Sequence, residues 1–220
     1  MTIELRVAGR VVTDAVGELT EYGVRHHRTV ARYDLGGVGD PDVLTLDEVV
    51  RTRIIASRIS AAQAEWFVAR AETAPWSAVP VDADLADADP MADGGLYAAG
   101  IGLDDHFRAA APRGVGVAKI HKVLHLKRPA LVPILDSHLL AAYGPLATSA
   151  AASRPALGAR RLYWVAIRDD LTADHNRDAL GEVRRELASY VGDEERQARV
   201  RALARLSDLR LLDAVAWRSL

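Results

Sequence analysis

Two strings in this chain say where a helix must start, and they fix its fold class. Thr45-Leu-Asp-Glu48 and Ser60-Ala-Ala-Gln63 are both capping boxes. In each, the hydroxyl of the first residue takes the amide of the fourth, and the fourth side chain reaches back. The first predicts a helix to about Ser57. The second predicts one to about Ala71, because Ala64, Phe67, Val68 and Ala71 recur at helical spacing. Similar patterns predict helices at 96–111, 117–126, from Asp136 or Ser137 to Tyr143, and at 159–170, 176–190, 193–205 and 208–217. Pro112, Pro129 and Gly144-Pro145 are read as the stops. Only residues 3–12 alternate weakly, as a short strand or a loose helix, and residues 14–33 suggest no element. Residues 35–41 and 74–95, punctuated by Gly and Pro, read as connections. The expectation is an all-α fold, a single globular helical domain over residues 1–220.

Charge is distributed unevenly along the chain. Lysine plus arginine number 28 against 30 acids, a net charge of −2, and the pI is near 6.4. That balance argues against a generic nucleic-acid binder, which is basic overall. Yet no acid occurs between Asp105 and Asp136. The interval holds Arg108, Arg113, Lys119, Lys122, Lys127, Arg128 and three histidines. Those three lysines are the only ones in the chain; elsewhere positive charge is arginine. Lysine confined to one stretch suggests that a compact ammonium is wanted there.

Composition closes several classes. Half of the residues are hydrophobic, enough for a sizeable core. Mean hydropathy is near zero, and no apolar run approaches the ~20 residues of a membrane span. There is no cysteine, which removes disulfides, thiolate zinc sites and cysteine-held clusters, and fits the cytoplasm. The wealth of Ala, Arg, Val and Leu is the usage of a high-GC bacterial genome.

Residues 113–138 concentrate the chemistry. Gly114-Val115-Gly116 is a tight turn between two predicted helices, within a module at about 103–143. Glycine permits positive φ and lets a phosphate approach without a Cβ in the way. Amides at the start of the next helix point at that phosphate, and the helix dipole favours its charge. Arg113, Gly114, Gly116, Lys119 and Lys122 are therefore the candidate nucleic-acid-binding residues. Asp136 stands before the next helix, where its plainest role is an N-cap.

Residues 112–138 resemble the helix-hairpin-helix DNA glycosylase superfamily, the group related to endonuclease III. There a Leu-Pro-Gly-Val-Gly hairpin precedes a helix, an extended link and a Pro/Val-Asp-Thr-His segment. The counterparts here are Gly114-Val115-Gly116 and Leu135-Asp136-Ser137-His138, with twenty positions from Gly116 to Asp136. The resemblance implies double-stranded DNA as partner and Asp136 as the catalytic carboxylate, stabilising oxocarbenium-like charge or activating a nucleophile. It also implies base flipping. The Schiff-base lysine of bifunctional members falls on Ala118, one position before Lys119, so the implied activity is monofunctional. The chain as a whole also resembles a bacterial family of unknown function that ends in a segment like Leu206–Asp213, Leu-Ser-Asp-Leu-Arg-Leu-Leu-Asp.

Other constellations carry less. His121 and His125 share a helix face but lack the glutamate of an HExxH pattern, and His26-His27 point apart. No metal and no cofactor is expected. Trp66, Trp76, Trp164 and Trp217 could stack on a base, but with helical apolar neighbours they read as core. The expected function is DNA binding by the hairpin, with base excision through Asp136. The alternative is a binding or interaction module without the chemistry.

Overall fold

The computed structural model describes residues 2–154 and 162–218. Among the described residues the fold is all-α apart from one small hairpin, and it groups into two compact units. One comprises Met1–Ala31 with Ser137–Leu220, the other Arg32–Asp136. Among the described residues no helix is long and apolar enough to cross a membrane.

The first unit opens with an antiparallel hairpin, β1 (Leu5–Val7) and β2 (Arg10–Val12), in the register Leu5↔Val12 and Val7↔Arg10. Both turn residues have positive φ, Ala8 at 53° and Gly9 at 75°. That is the turn whose twist matches two strands joined by two residues. Two strands alone are marginal, and side chains brace these. Asn176 accepts the Arg6 amide at 2.9 Å and donates to the Arg6 carbonyl at 2.7 Å, standing in for a third strand. Asp170 accepts the Ala8 amide at 2.8 Å.

Next come α1 (Ala15–Arg25) and the single turn α2 (His27–Thr29). Residues 14–33 suggested no element because Gly17 and Gly23 thin the apolar pattern. Asp14 nevertheless caps α1 by accepting the Gly17 amide at 2.9 Å. A Cβ at Gly23 would meet Leu203 Cδ1 at 2.8 Å, so the fully buried Leu203 would have to shift.

In the second unit both capping boxes form. Thr45 starts α3 (Leu46–Arg51) and Ser60 starts α4 (Ala61–Ala71), each with both reciprocal bonds. Residues 72–95 contain one short 3-10 turn at Trp76–Ala78 and no other helix. They lead into α5 (Leu96–Ala109) and α6 (Val117–Lys127). α3 packs on α4 and α6, α4 on α5, and α5 on α6. Phe107 of α5 is fully buried among Phe67 at 6.1 Å and Trp76 at 5.9 Å between ring centroids.

The chain then completes the first unit with α7 (Ser137–Ser153), α8 (Leu162–Thr172), α9 (Asp174–Ser189), α10 (Glu194–Leu203) and α11 (Asp208–Arg218). Residues 159–161, the expected start of the helix before Asp170, lie outside the described residues. The expected stop at Gly144-Pro145 does not occur, and α7 runs through it. Proline removes one helix bond, but Pro145 is on the exposed face. Leu139, Tyr143, Ala147 and Ala150 keep one face of α7 buried on both sides of it. The Thr148 hydroxyl also donates to the Gly144 carbonyl at 2.9 Å.

Inside this unit the fully buried Tyr143 sets its hydroxyl against Asp170. Burial and the Asp170 and Asp213 carboxylates push the tyrosine well up. Burial also pushes the Asp170 carboxyl up, and the Ala8 amide and Tyr143 offset only part of that. A carboxyl raised in the folded state contributes stability that is full below its unfolded value and is lost as pH rises through the folded value. The stability of Asp170→Asn, measured by urea unfolding from pH 4 upward, should therefore decline less with pH than that of the parent. A decline as steep as the parent's would rule out Asp170 as its source.

Candidate functional site

The connection from α5 to α6 is a tight turn. Pro112 accepts the Val115 amide at 3.0 Å, and Gly114 occupies the third position of that turn at φ +83°. An L side chain at such a φ is strained by about 1–2 kcal/mol. Val115 is buried and anchors the turn, whereas Arg113, Gly114 and Gly116 are exposed. Gly116 is the N-cap of α6 and offers no side chain to its amides. A Cβ at Gly116 would meet nothing within 4 Å. In the first turn of α6 the Lys119 amide donates to the Gly116 carbonyl at 3.1 Å, which leaves the amides of Val117 and Ala118 at the helix start.

One residue outside the expected site holds this turn in place. Gln63 caps α4 by accepting the Ser60 amide through Oε1 at 3.2 Å. The same oxygen accepts Lys119 Nζ at 2.8 Å, while Nε2 donates to the Arg113 carbonyl at 3.3 Å. The sequence shows Gln63 only as the end of a capping box. Its second role depends on a neighbour fifty positions away, which no local pattern announces.

The other lysines face inward. Lys122 is buried and donates to the Ile55 carbonyl at 2.7 Å. Lys127 is fully buried and donates to the carbonyls of Val38 at 2.7 Å and Asp40 at 3.0 Å and to the Glu48 carboxylate. Those are the three donors an ammonium possesses. Arg128, 1% exposed, spends its guanidinium on the Val79, Pro41, Lys127 and Trp76 carbonyls and on Asp42. The compact cation wanted in this stretch thus gathers the carbonyls of the 38–42 loop. The structure brings Arg113, Gly114, Gly116 and Lys119 together at one turn, and Lys122 is directed into the unit instead.

Electrostatics also stiffen the hairpin. Asp104 of α5 pairs with Arg108, and its Oδ1 lies 3.3 Å from His121 Nε2 of α6. Burial alone would push this carboxyl up. The His121 hydrogen bond and charge, together with Arg108, overcome burial and hold it below the usual carboxylate range. His121 Nδ1 donates to the Pro133 carbonyl at 2.8 Å and His125 Nδ1 to the Val132 carbonyl at 2.7 Å. The two imidazoles on one face of α6 therefore hold the link that leads to Asp136. Leu131 to Leu135 are buried, and Asp136 is half-buried directly before the first residue of α7. Its amide donates to the Ile134 carbonyl at 2.8 Å. Ser137 and His138 are exposed.

Comparison with known proteins gives one finding. A family model described as a family of unknown function (DUF6308) matches residues 15–220. No curated protein and no solved structure matches the chain.

Proposed function

The chain belongs to the DUF6308 family, a family of unknown function, and on that premise we propose that it binds double-stranded DNA through the turn between α5 and α6. The observation that carries this reading is the turn with exposed Gly114 and Gly116, which opens α6 with no side-chain cap and has Arg113 beside it. A backbone phosphate there would meet the amides of Val117 and Ala118, a favourable dipole and a guanidinium, with no Cβ at Gly116 and no acid between Asp105 and Asp136. Lys119 serves as the second cation, within reach of the turn through Gln63. In its stronger form the proposal makes the chain a monofunctional base-excision enzyme with Asp136 as the carboxylate. Its place at the start of α7, twenty positions after Gly116, supports that form.

The two forms separate in one experiment. Arg113→Ala with Lys119→Ala should weaken binding to a duplex carrying an abasic analogue. It should also flatten the dependence of log K on log salt by about 0.9 for each phosphate that is no longer neutralised. Asp136→Asn should retain binding and lose base release. Unchanged affinity in the Arg113/Lys119 variant would remove the turn from the interface. Base release that survives Asp136→Asn would remove the catalytic role.

A further inference from the structure

The first unit carries a ladder of rings that the DNA-binding reading does not use. It begins at Tyr22 of α1, which is buried, and passes to His26 at 4.9 Å between centroids. It continues to Trp217 of α11 at 5.3 Å, edge to face, and ends at His138 in the first turn of α7 at 5.5 Å. Exposure rises along it: Tyr22 is closed off, His26 and Trp217 are half-buried, and His138 is exposed.

Positive charge gathers on the same rungs. Arg210 lies 5.7 Å over the Tyr22 ring and donates to its hydroxyl at 2.6 Å, fixing the inner end. Arg218 follows Trp217 and donates Nε to Glu18 at 2.6 Å. Arg25 precedes His26, and its pair with Glu21 is long, 3.6 Å, and solvent-exposed. Burial first, then Arg218, Arg210 and Arg25, hold the His26 imidazole below its ordinary value. Burial is the larger cause; the three arginines add positive charge beside the ring, two of them paired with the Glu18 and Glu21 carboxylates. A half-buried indole beside a positive field suits a ligand that is aromatic and anionic at once.

We propose that His26, Trp217 and His138, with Arg25, form a binding site for a nucleotide, the base stacking on Trp217 and the phosphate lying toward Arg25 and the imidazoles. The site lies entirely within the first unit and does not rest on the α5–α6 turn. Arg113→Ala, which tests that turn, should leave nucleotide binding unchanged.

The test titrates the full chain with AMP, adenosine and ribose 5-phosphate. It follows tryptophan fluorescence and the C2 proton of His26 by NMR. AMP should quench saturably and move the His26 titration upward. Adenosine, lacking the charge, and ribose 5-phosphate, lacking the base, should each bind roughly tenfold more weakly. Trp217→Phe should abolish the quench, since Trp66 and Trp76 belong to the second unit and Trp164 is buried in α8. His138→Ala changes an exposed side chain, so it keeps the fold and should still weaken AMP severalfold. The proposal is overturned if no saturable change occurs, if adenosine or ribose 5-phosphate matches AMP, or if both variants bind AMP as the parent does.

Discussion

Replacing Lys127 by Met is expected to cost about 3–5 kcal/mol of stability. The side chain is fully buried, and its ammonium satisfies two carbonyls of the 38–42 loop and one oxygen of Glu48. The other Glu48 oxygen accepts the Thr45 amide at 2.8 Å and so caps α3. Removing the cation strands a carboxylate that is only 11% exposed and leaves Val38 and Asp40 without their donor. Methionine keeps the stem's volume, so the loss measured by urea unfolding is electrostatic and not a cavity. The double variant Lys127→Met/Glu48→Gln should recover part of it, because removing a whole buried pair is cheaper than removing half. If the single variant unfolds within about 1 kcal/mol of the parent, the ammonium is not the anchor of the loop.

Asp104→Asn is expected to cost about 3 kcal/mol at neutral pH, less than Lys127→Met because Arg108 is partly solvated at 18% exposure. Its pH dependence is the sharper signature. A carboxyl lowered in the folded state contributes stability present above its unfolded value and lost as pH falls through the folded value. The parent should therefore lose stability below about pH 4, and the variant, already without the pair, should lose less over that range. This is the opposite sign to Asp170, whose carboxyl is raised. Unfolding midpoints collected from pH 3 to pH 7 for the two asparagine variants distinguish the assignments. Parallel acid limbs for the parent and Asp104→Asn would contradict the charge pairing between α5 and α6.

Local signals carried much of the fold into the sequence. Thr45-Glu48 and Ser60-Gln63 marked two helix starts correctly because a capping box is complete within four residues. At the expected helix 208–217, the Ser207 hydroxyl accepts the Arg210 amide at 3.1 Å. What failed was decided by packing. α1 was hidden because Gly23 looks like a helix breaker, yet it is the residue that lets Leu203 approach. α7 overran its expected stop because buried residues on both sides of Pro145 outweigh one missing bond. The turn at Gly114 was legible down to its positive φ. The lysine cluster was legible as a concentration of ammonium but not in its purpose. The partners of Lys122 and Lys127 are largely backbone carbonyls 67 to 89 positions away, and a carbonyl has no letter in a sequence. For the same reason Arg113, Gly114, Gly116 and Lys119 meet at one turn, whereas Lys122 is spent inside the unit.

The central claim, that the turn between α5 and α6 holds a DNA phosphate, is met most directly by titrating the intact chain against a short duplex at two salt concentrations. Binding should be measurable at low salt and should weaken with a log–log slope of about −0.9 per phosphate neutralised. No binding at either concentration would contradict the claim, and so would binding indifferent to salt.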